Sequence, residues 1–92
     1  TGVSGTIADR MAQMMKQISA TCQVICITHL PQIAAFGSQH YKVYKEDTTT
    51  GTRSHIVRIT TDERITEIAH MLSGAEITDA AISNAKALLG SK

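Results

Sequence analysis

The residue with the clearest chemical potential is His29. It follows the apolar run Val24-Ile25-Cys26-Ile27 and stands between Thr28 and Leu30-Pro31-Gln32, within the stretch TCQVICITHLPQ of residues 21–32. The apolar run is too short for a helix, is β-branched at most positions and lacks the alternation of a half-wet strand. That pattern predicts a strand over residues 21–28 that is buried on both faces, as in a parallel sheet covered by helices. Pro31 cannot donate to a ladder and biases Leu30 away from the helical region, so the strand ends there. Ligands of open α/β sheets bind at the carboxyl ends of strands, where Thr28 and His29 are then expected. The alternative for His29 is a structural, hydrogen-bonding role.

The other chemistry-bearing residues form weaker patterns. His40 and His55 fall on two predicted hairpin strands and approach each other if those strands pair, whereas His70 falls in a helix. A zinc site needs a third and fourth ligand, and the spacing supplies no such signature. Cys22 and Cys26 lie four apart, too far to bridge along one strand and not in CxxC spacing. They are expected to be reduced core thiols of a cytoplasmic protein. Lys42, Lys45, Arg53 and Arg58 offer a DNA-facing patch, but Glu46 and Asp47 dilute it, and a solvated hairpin face is the preferred reading. The turn bearing Gly2 and Gly5 is either an anion nest before a helix or an ordinary cap.

Five elements must position these groups. A helix capped by Ser4 should run to about Ile18 or Ser19, with Ile7, Met11, Met14 or Met15, and Ile18 as its core stripe. After Pro31, a short helical turn over residues 32–36 ends at Gly37. A hairpin follows, with residues 39–46 and 52–60 as strands and residues 47–51 as the turn; Tyr41 and Val43 share one face, and His40, Lys42 and Tyr44 the other. Thr60 and Glu63 have capping-box spacing ahead of a helix with Ile65, Ile68, Met71 and Leu72 buried and Gly74 as its stop. Thr78 or Asp79 caps a last helix, with Ala81, Ile82, Ala85, Leu88 and Leu89 on its apolar side and Gly90 at its end.

Composition excludes several function classes. Ninety-two residues make one small domain or a piece of a larger one. A net charge of +1 gives no electrostatic case for a nucleic-acid or membrane surface. No apolar stretch approaches membrane-spanning length, and the first ten residues do not resemble a secretory signal. With aromatics at 3%, the core must be aliphatic.

Thr1-Gly2-Val3-Ser4-Gly5, the helix after it, the segment Thr28-His29-Leu30-Pro31-Gln32 and the ending from Met71 to Thr78 together resemble the ATPase heads of bacterial DNA repair proteins of the SMC-like, ABC-type ATPase family. The resemblance covers essentially the whole chain. It implies the C-terminal fragment of an α/β P-loop head, with a buried parallel-type strand, a β-hairpin and flanking helices. Residues 1–92 would form a single partial domain. Thr1, Gly2, Val3, Ser4 and Gly5 would be the D-loop at the interface between two heads. His29 would be the switch histidine that approaches the γ-phosphate of ATP, and Gln32 a neighbouring residue. The resemblance further implies ATP and Mg as cofactors of the intact protein, a second head in a homodimer and DNA as partners, and a cytoplasmic, nucleoid-associated location.

The departures from the family are specific. No G-x-x-x-x-G-K-[ST] loop occurs, and the Walker B acidic pair and the signature motif are missing. Leu72-Ser73-Gly74-Ala75-Glu76 imitates a signature but stands on the wrong side of His29, and reads better as a helix end. The chain alone is therefore expected neither to bind ATP tightly nor to hydrolyse it. Without a neighbouring parallel strand, residues 21–28 would expose an apolar edge and promote self-association. The reading from a different class is a stand-alone α/β interaction module without nucleotide chemistry; a transporter-type ATPase head is a third.

Overall fold

The computed structural model describes residues 5–90. The first helix, α1, spans Gly5–Ile18 and is rich in good helix formers. The expected cap at Ser4 lies outside the described residues. The helix closes locally at its far end. The Ser19 amide donates to Met15 O at 2.9 Å, Ser19 Oγ to Lys16 O at 2.6 Å, and the Cys22 amide to Ile18 O at 3.0 Å, which satisfies carbonyls the helix itself leaves open.

The buried face of α1 is not the one expected. Ile7, Met11, Met14 and Ile18 are exposed and Met15 is half-buried, while Ala8 and Ala12 are each 1% exposed. Among the described elements, the helix packs on α2 at Pro31–Phe36. Two alanines at i, i+4 spacing lie on one helix face, and their small side chains let the helices approach closely. The bulkier stripe is left facing solvent.

The expected buried strand over residues 21–28 is not formed. Residues 23–30 carry no regular secondary structure; Ile25 is 83% and Ile27 98% exposed. The only sheet among the described residues is the two-stranded β1-β2 pair, and it does not include this run. β-branched residues favour a strand only where neighbours supply the ladder and cover the faces. Cys22 and Cys26 are free, as expected, but exposed rather than core.

Pro31 behaves as anticipated. Leu30 is extended (φ −95°, ψ 121°), and Pro31 opens α2 at a position where its missing N–H costs nothing. Gly37 follows α2 in an extended conformation rather than a left-handed one. A side chain there would bring a Cβ to 3.1 Å from Gln39 O, so close backbone approach accounts for the glycine.

The hairpin is two strands, β1 at Tyr41–Thr48 and β2 at Gly51–Arg58, paired antiparallel with Tyr44 opposite His55 and Lys42 opposite Val57. Its turn is tighter than expected, with only Thr49 and Thr50 between the strands, and Gly51 supplies a φ of 137°. The rings of Tyr44 and His55 stack at 4.9 Å. His40 does not meet His55. It precedes β1, its carbonyl accepts from the Ile59 amide, and four residues of strand (about 13 Å) separate it from the position opposite His55.

Helix α3 (Thr61–Ser73) opens with the expected capping box. The Glu63 amide donates to Thr60 Oγ1 at 3.2 Å and the Thr60 amide to Glu63 Oε1 at 2.9 Å. The Thr60 amide and hydroxyl hold the Glu63 carboxyl below the usual carboxylate range. The helix ends at Gly74 (φ 80°), whose amide donates to His70 O. Helix α4 (Asp79–Gly90) is capped by Thr78, whose Oγ1 accepts from the Ala81 amide at 3.0 Å. The core lies where α2, α3 and α4 meet, around Ile68, Ala69, Ala35, Ala81 and Ala85, with Ile65, Ile82, Leu88 and Leu89 against it. Of the expected α3 stripe, Met71 is half-buried and Leu72 is exposed.

The molecule is more open than its size requires. Its radius of gyration is 14.4 Å, against about 12 Å for a compact chain of this length. Its accessible surface is 6823 Å², against about 5,200 Å² for a folded monomer of this mass. The difference is about twice the area that one partner buries in a standard protein interface.

Candidate functional site

Two polar clusters stand out. The first surrounds the residues singled out in the sequence. Thr28 Oγ1 accepts from the Leu30 amide at 2.9 Å, a local bond that turns the chain at His29. The His29 side chain is exposed. Gln32, half-buried in α2, lies against the start of α1: a methyl group added to Gly5 would meet Gln32 Nε2 at 3.6 Å. Packing of α1 on α2 thus brings Gly5 and Gln32 together, with His29 three residues before Gln32. Thr1, Gly2, Val3 and Ser4 lie outside the described residues.

This cluster fits only part of what a nucleotide needs. An exposed imidazole is free to reach a phosphate oxygen. Among the described residues, no three His, Cys, Asp or Glu side chains are grouped to hold a metal ion. The chain also has no glycine-rich loop with its lysine.

The second cluster was not anticipated. Arg64 is only 6% exposed. Its Nη2 donates to Gly37 O at 2.8 Å and Ala34 O at 3.0 Å, with Ala35 O at 3.4 Å. Nη2 carries two hydrogens, so the third contact is shared and weak. The guanidinium thereby caps the carboxyl end of α2. Arg64 Nε is buried and has no partner, and Arg64 makes no salt bridge among the described residues. Burial lowers its pKa, yet a guanidinium stays charged. His40 sits nearby with its Nδ1 buried and without a partner among the described residues. Burial, then the Arg64 charge, pull the His40 pKa below its ordinary value, and Glu67 partly opposes them. Both residues line a cavity of about 320 Å³ at the base of the hairpin. One signal in the sequence pointed here: Arg64 stands four residues before Ile68, on the face that α3 buries.

The His40 shift has a consequence for stability. The unfolded chain takes up a proton near pH 6.5 and the folded chain only at lower pH. Stability is therefore full above about pH 6.5 and declines as pH falls from there through the folded pKa. A His40→Gln variant is expected to lose that part of the decline, as read from urea midpoints between pH 7.5 and 5.

The fold and these clusters define a mixed α/β segment with an exposed strand-forming run beside a histidine. No protein-family model matches the chain. It is similar to the DNA repair protein RecN of Haemophilus influenzae, 36% identical over 88 residues that make up 96% of this chain and 16% of that protein. RecN of Bacillus subtilis is 39% identical over 89 residues, covering 97% of this chain and 16% of the relative. RecN of Deinococcus radiodurans is 43% identical over 88 residues, covering 96% and 15%. Nearly the whole chain is thus similar to one segment of RecN, and it spans about one sixth of the length of these relatives.

Proposed function

We propose that this chain is the C-terminal part of the ATP-binding head of a DNA double-strand-break repair and recombination protein. Thr1, Gly2, Val3, Ser4 and Gly5 act as the D-loop between two heads of a homodimer. His29 approaches the γ-phosphate of ATP, and Gln32 stands beside Gly5. When bound, ATP with Mg supplies the transferable phosphoryl group, and the loops that hold it belong to the rest of the head. The contribution of this chain is positional: an imidazole, neutral or protonated, donates a hydrogen bond to a phosphate oxygen or holds the attacking water. DNA is engaged by the intact protein, in the cytoplasm at the nucleoid.

One observation carries this reading. The run Val24-Ile25-Cys26-Ile27 has the composition of an internal strand, lies open to solvent, and leads directly into an exposed His29. A parallel sheet from elsewhere in a protein as long as the relatives would cover it and hold His29 at the ligand-binding edge. In the full-length protein, His29→Ala is expected to lower ATP turnover about 100-fold while leaving ATP affinity within about threefold. Unchanged turnover would remove His29 from the chemistry.

The alternative is an interaction module without nucleotide chemistry. Tyr41, Val43 and Ile56 favour it, because they leave one face of the hairpin apolar and exposed. Titration calorimetry of this chain and of the upstream-extended protein separates the two. ATP binding by the extended protein alone supports the head, and binding by neither supports the module.

A further inference from the structure

The geometry points to a second phosphate-binding site, at the cavity where the base of the hairpin meets the amino terminus of α3, with Arg64, His40, Arg58, Ser38, Thr60 and Thr61 as its walls. It is distinct from the His29 region and does not depend on the reading given above.

Three observations converge on an anion. First, Arg64 is a buried cation without a carboxylate partner among the described residues. A buried charge is costly unless it is paired, and its bonds to Ala34 O and Gly37 O use Nη2 and leave Nε unpartnered among the described residues. Second, His40, which also lines the cavity, has a further buried nitrogen, Nδ1, without a partner among the described residues. A buried polar atom left open in a native fold calls for an ion or water to complete it. Third, α3 is a 13-residue helix whose cap, Thr60, and first residue, Thr61, line the cavity. A helix amino terminus favours negative charge through its free amides and dipole. Glu63 already takes the Thr60 amide, so the Thr61 side of the terminus is the part open to a ligand.

Arg58 adds an exposed cation at the rim, and Ser38 adds a hydroxyl. The cavity, about 320 Å³, is roomy for one phosphate group with its waters. The ligand class is a phosphate ester, either a backbone phosphate of a polynucleotide or a phosphate of a free nucleotide. Guanidinium, imidazole and helix amides together match the several oxygens of such a group better than a single carboxylate.

Inorganic phosphate is the probe. Titrated into the 92-residue chain at constant ionic strength, it should produce saturable shifts in the backbone amide signals of His40, Thr60 and Thr61. Arg58→Gln and His40→Gln should each weaken binding about tenfold without changing the melting temperature at pH 7.5. These two positions are chosen because Arg64 supports the fold. No saturable shift, or shifts indifferent to both substitutions, would overturn the proposal. Competition then identifies the source. Displacement of phosphate by a short DNA duplex but not by ATP assigns a polynucleotide backbone, and the converse assigns a nucleotide. Displacement by neither overturns the assignment to a phosphate ester. All of these readouts are independent of ATP turnover, so failure here leaves the His29 proposal standing.

Discussion

Replacing Ile68 by alanine should cost about 3 kcal/mol of folding free energy, the largest loss available from one aliphatic side chain here. Ile68 is fully buried, and it is the one large side chain among the most deeply enclosed residues. Its buried neighbours are alanines of α2, α3 and α4. Helices held together through alanines already stand close, so they have little room to move inward when a bulky side chain is removed. A cavity remains, and its cost adds to the lost transfer free energy. Small domains are stable by only about 5–15 kcal/mol, so the midpoint of urea unfolding should fall steeply. Ile68→Val, which removes one methylene group, should cost about 1 kcal/mol. Equal losses for the two variants would mean that the site collapses and that the alanine contacts are looser than described.

Arg64→Ala should cost about as much for a different reason. Truncation removes the donor that satisfies the part-buried carbonyls of Gly37 and Ala34, at up to about 1–3 kcal/mol for each group, with the arginine side chain's own packing lost as well. Part of that loss is offset, because the guanidinium no longer has to be kept out of water. A net loss of about 3 kcal/mol is expected, concentrated at α2. Arg64→Lys should recover about half, since an ammonium keeps the charge but cannot reproduce the planar fork. Amide hydrogen exchange distinguishes this from a global effect: α2 amides should lose protection in Arg64→Ala before those of α4 do. Uniform loss across all helices would show that Arg64 acts through the whole core instead.

The sequence made local features legible and left packing partners obscure. The Thr60–Glu63 box, the Gly74 stop, the Pro31 start and the Thr78 cap stand where the residues indicate. Each involves groups within about four residues, so no distant element can overrule it. The apolar stripe of α1 and the run at residues 24–27 were equally legible as patterns, yet both are exposed. An apolar pattern shows that a surface wants cover; it does not supply the cover. The Arg64–His40 cluster escaped because its partners, the α2 carbonyls, lie some thirty residues away. His29 was legible as a candidate from its place after a strand-forming run, and similarity to RecN over nearly the whole chain agrees with the resemblance drawn from its motifs.

By itself, then, the sequence determined that the helices and the hairpin exist and where α3 starts and stops and α4 starts, because caps, breakers, alternation and motifs are written in neighbouring residues. Tertiary structure decided which apolar residues are core and which buried cation is left to seek an anion. Burial and charge pairing depend on what stands opposite a side chain in space. In this chain alanines, rather than the larger residues beside them, are the side chains that bring α1 to α2.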